Sequence, residues 1–124
     1  MKMMPYILVV EDDVWLAEQY VRLLRRAGFR VNYVTDALAA IDSLDSEVPQ
    51  VIMLDVLLAG PNAFTLLHEI RSHADLASIP VILCTNSVDS MQDFDLASYG
   101  VVDLLNKATV TPNDLILAIK RVTI

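Results

Sequence analysis

Chemically reactive side chains follow four apolar segments of this chain, each at or just past the segment's end. The set combines carboxylates with a hydroxyl and an ammonium group. Its members are Glu11, Asp12, Asp13, Asp55, Thr85 and Lys107. Carboxylates gathered in one crevice repel one another, so such a site is expected to recruit a hard divalent cation such as Mg²⁺. A carboxylate beside that cation, with a lysine and a hydroxyl nearby, can accept a phosphoryl group.

In that chemistry Asp55 is the predicted nucleophile, and the product is an aspartyl phosphate. The cation would orient the incoming phosphoryl group, Lys107 would balance the charge of one oxygen, and the Thr85 hydroxyl would hydrogen-bond another. Each residue alone also has an ordinary interpretation. An acidic triplet after a strand is commonly a helix N-cap, and a lone aspartate at a strand end commonly forms a turn. The prediction therefore depends on the four segments ending at one place.

Five apolar segments recur along the chain, and most are nearly continuous in Val, Ile and Leu. Such segments are typical of parallel strands that are covered on both faces. They are Tyr6–Val10, Val31–Val34, Val51–Leu54, Val81–Cys84 and Val101–Leu105. In an open parallel sheet the functional site lies beyond the carboxyl ends of the strands. We therefore expect the side chains that follow these segments to lie close together.

Segments with helical periodicity separate the predicted strands, and several carry start or stop signals. The predicted helices are residues 14–27 before Gly28, one capped by Asp36, one capped by Asn62, one that begins after Ser87 or Ser90 and ends near Tyr99, and one with Thr111 as N-cap. Fivefold strand–helix alternation predicts an α/β sheet with right-handed crossovers and helices on both faces. We find no repeat or linker, so residues 1–124 are predicted to form one domain.

Composition narrows the class of protein. Hydrophobic residues make up 55% of the chain and charged residues 20%, which is typical of a folded domain. The net charge of −7 argues against direct nucleic-acid binding, because a duplex binder needs clustered Lys and Arg. No signal peptide is evident, no apolar run approaches the roughly 18 residues that span a bilayer, and the single cysteine, Cys84, lies in an apolar segment. We expect a cytoplasmic protein without membrane contact.

Together these segments resemble the receiver domain of bacterial response regulators, the phosphoacceptor half of two-component systems. The resemblance covers essentially the whole chain, and the intervals between Asp55, Thr85 and Lys107 fit the family without insertions. The segments that carry it are Ile7–Asp13, Val51–Asp55, Pro80–Thr85 and Leu105–Lys107. The resemblance implies a flavodoxin-like fold, a doubly wound five-stranded parallel sheet of order 2-1-3-4-5 with five helices on its two faces.

The resemblance also implies ligands and partners. Mg²⁺, for which Mn²⁺ can substitute, would be held by Asp12, Asp55 and the main-chain carbonyl of Leu57, with Glu11 acting through water. A sensor histidine kinase or phosphotransfer protein would donate the phosphoryl group. The domain would then switch a surface that contacts an output domain or a downstream protein, as a monomer or a phosphorylation-linked dimer. Such a domain is not an enzyme beyond its own phosphotransfer and slow autodephosphorylation.

Four features depart from the family pattern. Ala108 replaces the usual proline after the lysine, and Asn86 replaces the small residue that usually follows the hydroxyl residue. Leu104 replaces an aromatic residue whose rotation often reports activation. Residues 59–63 lack the usual Pro and Asp-Gly. These changes leave open a degenerate receiver that binds partners without being phosphorylated, although the complete set of site residues counts against it. A flavin binder would need a donor-rich phosphate loop in place of the acidic triplet. A haloacid-dehalogenase-type phosphatase would need a second aspartate at Leu57.

Overall fold

The computed structural model describes residues 4–56, 63–86, 88–91 and 95–123. Its five strands form one parallel sheet in the order β2-β1-β3-β4-β5, which confirms the predicted order. The strands are β1 Tyr6–Val10, β2 Arg30–Val34, β3 Val51–Asp55, β4 Val81–Thr85 and β5 Val101–Asn106. The last three each extend one residue further than predicted. The polar residues expected just after them therefore continue the strands.

Four α-helices among the described residues cover the sheet. They are α1 Val14–Arg26, α2 Ala37–Ser46, α3 Ala63–Ser72 and α4 Pro112–Thr123. Side chains of α2 and α3 pack with Leu8 and Ile52 on one face, and those of α1 and α4 pack with Ile7 and Met53 on the other. Successive strand residues point to opposite faces of the sheet, and helices cover both faces. All side chains of the central strands are therefore buried, which explains their continuous apolar sequences.

Among the residues that the structure describes, none of the helices has the length and apolar character needed to cross a lipid bilayer.

The prediction of five α-helices is wrong. Between β4 and β5 the described residues instead form two short 3-10 helices, Val88–Met91 and Leu96–Tyr99. The Asp95 carboxylate accepts a hydrogen bond from the Ser98 N–H at 3.4 Å, and the Ser98 hydroxyl donates to the Asp95 carbonyl at 2.8 Å. Short polar side chains of this kind compete for backbone hydrogen bonds and favour tight turns over a continuous helix. Ser87, one predicted start, lies outside the described residues.

Several predicted helix boundaries are confirmed. The Asp36 carboxylate accepts the Ala39 N–H at 2.8 Å at the start of α2. Helix α1 ends just before Gly28, whose φ of 98° lies in the left-handed region that favours glycine. The predicted cap Asn62 lies outside the described residues. The Asp36 cap lies where the chain leaves the carboxyl edge of the sheet, and Gly28 lies where it returns to the amino edge.

The start of α4 is a capping box, as its sequence predicts. The Asp114 N–H donates to the Thr111 hydroxyl at 3.1 Å, and the Thr111 N–H donates to the Asp114 carboxylate at 3.0 Å. The two contacts with Thr111 lower the pKa of Asp114. This reciprocal pair fixes the far end of the loop that begins at Lys107.

Candidate functional site

The carboxyl edge of the sheet gathers the predicted site residues. Asp55 is the last residue of β3, and Thr85 is the last residue of β4. Glu11 and Asp12 follow β1, and Lys107 follows β5. Since β3 lies between β1 and β4 in the sheet, Asp55 has acids on one side and the hydroxyl residue on the other.

Three carboxylates lie close enough to share one cation. One oxygen from each of Glu11, Asp12 and Asp55 can be chosen so that all lie within 4.8 Å of one another. Glu11 and Asp55 are only 1% and 5% exposed, whereas Asp12 is exposed. Oxygen ligands of this kind suit Mg²⁺, which retains several waters and takes one or two protein carboxylates. The donor set therefore fits that ion. Leu57, the predicted main-chain ligand, lies outside the described residues.

The Lys107 ammonium partly balances this negative charge. Its Nζ lies 2.6 Å from Glu11 Oε1 and 3.2 Å from Asp55 Oδ1. Burial alone would lower the pKa of Lys107, but the hydrogen bond to Glu11 and the charges of Asp55 and Glu11 outweigh burial and raise it. The lysine therefore stays protonated at neutral pH. With Asp12 included and every group ionised, three negative charges face one positive charge.

Glu11 is held in place and has an unusual pKa. Burial raises the pKa of Glu11 to about 7, and the nearby acids Asp12 and Asp55 act in the same direction, while the hydrogen bond from Lys107 opposes them. Glu11 Oε2 accepts the Asp13 N–H at 3.2 Å, and the Glu11 N–H donates to the last carbonyl of β2 at 3.0 Å. A rigidly placed carboxyl group that ionises near neutrality therefore lines the site.

The third acid of the triplet has a separate role. The Asp13 carboxylate accepts the Leu16 N–H at 3.2 Å and caps α1, and Asp13 does not belong to the group of three clustered carboxylates. The ordinary interpretation of an acidic triplet is thus correct for one acid of the three. Trp15, in the first turn of α1, is 69% exposed. The single tryptophan therefore lies within a few residues of the clustered acids with its ring largely in solvent.

Leu104, Asn86 and Ala108 depart from the family pattern and lie among the described residues, and two contacts at the site were not predicted. Leu104 is half-buried and packs against the α2–α3 side of the core, and Asn86 is exposed. Sequence reasoning assigned Lys107 to a phosphoryl oxygen and did not anticipate its shorter contact to Glu11. It also missed the side chain of Asn106, which hydrogen-bonds within the loop after Lys107. The signal for that contact was an asparagine two residues before a non-proline residue.

Cys84 lies next to Asp55 in the sheet, but its thiol is buried and unreactive. It pairs with Asp55 across β3 and β4 and is 2% exposed. Burial raises the pKa of its thiol to about 12, so the reactive thiolate is not formed at neutral pH.

The structure is a doubly wound parallel sheet with clustered acids and a lysine at its carboxyl edge. The sequence model of the response regulator receiver domain matches residues 7–120. The chain belongs to the response regulator receiver domain family, which works in two-component signal transduction.

Individual relatives agree with this assignment. The transcriptional regulatory protein GltR of Pseudomonas aeruginosa is 35% identical over 114 residues, which are 92% of this chain and 47% of the relative, so the chain spans about half of GltR. The receiver domain of the sensor histidine kinase PA1611 of Pseudomonas aeruginosa, solved with magnesium coordinated in its active site cleft, is 26% identical with a TM-score of 0.85. That match covers 97% of this chain and 98% of the other. A sensor protein from Polaromonas sp. JS666 shares the fold, with a TM-score of 0.89 at 23% identity over 95% and 94% of the two chains.

The raised pKa of Glu11 predicts that the free energy of unfolding decreases as the pH rises toward neutrality, when divalent cations are removed with EDTA. The folded state binds the Glu11 proton more tightly than the unfolded state, whose pKa is near 4.5. The stabilisation that the Glu11 proton gives the folded state is therefore complete below about pH 4.5 and is lost as the pH rises through about 7. The loss is on the order of 3 kcal/mol of unfolding free energy. Glu11→Gln cannot ionise at this position, so its stability should not show this decrease with rising pH.

Urea unfolding between about pH 5 and pH 8 measures this difference. Glu18→Gln, which removes an exposed carboxylate from α1, is the control and should keep the wild-type pH dependence. Parallel stability profiles for the wild type and Glu11→Gln would contradict the prediction.

Proposed function

We propose that this receiver domain takes a phosphoryl group from the phosphohistidine of a sensor histidine kinase or phosphotransfer protein onto Asp55, in a Mg²⁺-dependent reaction. The observation that carries the proposal is the placement of Asp55, a buried carboxylate that is clustered with two other acids and lies 3.2 Å from the Lys107 ammonium. A phosphorylation-independent binding module would not require this arrangement, so that alternative is not favoured.

The metal would be held by the acids around Asp55. Asp12 and Asp55 would bind it directly, Glu11 would act through water, and the main-chain carbonyl of Leu57 would be a further ligand. Bound Mg²⁺ would supply charge neutralisation at the phosphoryl oxygens. Because Glu11 and Asp55 are buried, little bulk water screens that interaction.

Asp55 attacks phosphorus through a carboxylate oxygen as the phosphorus–nitrogen bond to the donor histidine breaks. The bonding electron pair stays with the imidazole nitrogen, and the new bond is that of an acyl phosphate. The Lys107 ammonium, already in contact with the Asp55 carboxylate, pairs with a phosphoryl oxygen, and the Thr85 hydroxyl donates to another. The domain catalyses only this transfer and its own slow dephosphorylation, in which water takes the phosphoryl group as inorganic phosphate and the Asp55 carboxylate is restored.

Phosphorylation then shifts the equilibrium between an inactive and an active conformation of an interaction surface. That surface acts on an output domain or a downstream protein. Leu104 stands where the family usually has an aromatic, so the signal passes without the rotation of such a ring. Residues 1–124 form this one domain in the proposal, as a monomer or a phosphorylation-linked dimer.

The proposal predicts that incubation with acetyl phosphate and Mg²⁺ adds the mass of one phosphoryl group to the wild type. Asp55→Asn should show no adduct, because its amide cannot act as the acceptor. Asp42→Asn removes an exposed carboxylate from α2 and should label like the wild type. Intact-mass spectrometry reads all three proteins. An unlabelled wild type, or equal labelling of Asp55→Asn, would refute the proposal.

The neighbouring acids Asp12 and Asp13 are predicted to contribute differently to the affinity for Mg²⁺. Titration with Mg²⁺ should change the fluorescence of Trp15, and Asp12→Asn should weaken the affinity at least about tenfold, a loss seen even for groups that only support ligands. Asp13→Asn removes the same charge one residue away but keeps a good helix cap, and should change the affinity less than about threefold. Equal weakening by both variants would mean that only general charge attraction operates.

A further inference from the structure

The loop between Lys107 and α4 is closed by hydrogen bonds to one residue, Asn106. Its backbone carbonyl accepts the Thr109 N–H at 3.1 Å and the Val110 N–H at 2.8 Å. Its side-chain Oδ1 accepts the Ala108 N–H at 2.9 Å. Three consecutive N–H groups after the lysine therefore donate to the residue that precedes it, with the side-chain bond forming an Asx turn.

This closure holds the backbone of Lys107. The Lys107 N–H donates to the Thr85 carbonyl at 2.9 Å, and Asn106 is paired with Thr85 across β4 and β5. The lysine thus lies between a strand ladder and a closed turn. Its long side chain must still reach Glu11 and Asp55, and ordering such a chain costs conformational entropy. A fixed backbone reduces the number of conformations in which the ammonium misses its partners.

Ala108 and Asn106 form a complementary pair. Ala108 supplies an N–H that proline, the usual family residue at this position, lacks. The half-buried Asn106 supplies the acceptor for that N–H, and every peptide bond among the described residues is trans. A side-chain hydrogen bond therefore shapes a loop that a proline ring would otherwise restrict.

We propose that Asn106 is a positioning residue for the phosphotransfer site. By holding the Ala108 N–H, its carboxamide keeps the Lys107 ammonium against Asp55. Asn106 acts through Lys107 and does not itself contact the transferred group. The expected effect on rate rests on the proposed function of Asp55, whereas the effect on the position of the ammonium does not.

A double-mutant cycle tests the rate effect in the full chain, with labelling by acetyl phosphate at saturating Mg²⁺. Asn106→Ala should slow labelling roughly 2- to 10-fold, the range that one net hydrogen bond represents. In an Ala108→Pro background the N–H is absent, so the same change should have no further effect. Asn106→Ser, whose hydroxyl makes the same turn more weakly, should recover part of the rate. An unchanged rate in Asn106→Ala, or equal losses in both backgrounds, overturns the inference.

A second measurement does not depend on phosphotransfer. The ¹H–¹⁵N NMR signal of the Lys107 ammonium, identified by its absence in Lys107→Arg, reports contact with the carboxylates. Asn106→Ala should shift or broaden this signal while urea unfolding remains cooperative, and Asn106→Ser should lie closer to the wild type. An unmoved signal in Asn106→Ala overturns the inference even if Ala108→Pro does not fold. If the wild type takes up no phosphoryl group, the proposed function fails, and this signal still decides the role of Asn106.

Discussion

Two buried carboxylates share one lysine ammonium, and that contact requires a particular arrangement of the strands. Glu11 comes from the end of β1, Asp55 from β3 and Lys107 from the end of β5. An ionised carboxylate removed from water costs several kcal/mol unless a partner offsets it. Removing one partner of a buried pair typically costs about 3–5 kcal/mol, because the other charge remains. The fold must therefore bring three non-consecutive strand ends to one point.

The sheet meets that requirement through its order and its register. Placing β3 between β1 and β4 puts Asp55 at the centre of the carboxyl edge. Because strand side chains alternate between the two faces, a slip of one residue would exchange the residues packed under α1 and α4 with those packed under α2 and α3. The apolar core on both faces thus fixes the register, and the register fixes the distance between the acids and the lysine.

Much of this architecture could be predicted because its signals are local. Continuous apolar segments indicated the strands, and Asp36, Thr111 and Gly28 marked helix boundaries through their own backbone chemistry. Strands β3, β4 and β5 ran one residue further than predicted, since ladder hydrogen bonds use the backbone and tolerate a polar side chain such as Asp55. The helix predicted between β4 and β5 was wrong because the competition of Asp95 and Ser98 for backbone groups outweighed a weak helical pattern.

The fine geometry of the site could not be read from the sequence. The sequence at Ala108 indicated only the loss of a proline, whereas the structure shows that Asn106 supplies an acceptor for the Ala108 N–H. The 2.6 Å contact between Lys107 and Glu11 joins residues from opposite ends of the chain, and no local pattern encodes it. The pKa of Glu11, near 7, follows from the same tertiary burial. A proton and a divalent cation should therefore compete for this pocket.

The central claim is that Asp55 itself carries the phosphoryl group. Reduction of the phosphorylated protein with borohydride converts an acyl phosphate to the corresponding alcohol, so a modified aspartate becomes homoserine. Peptide sequencing by tandem mass spectrometry then locates it. We predict homoserine at position 55 and at no other acidic residue. Homoserine at position 12 or 13, or none in a protein that has taken up phosphate, would contradict this account.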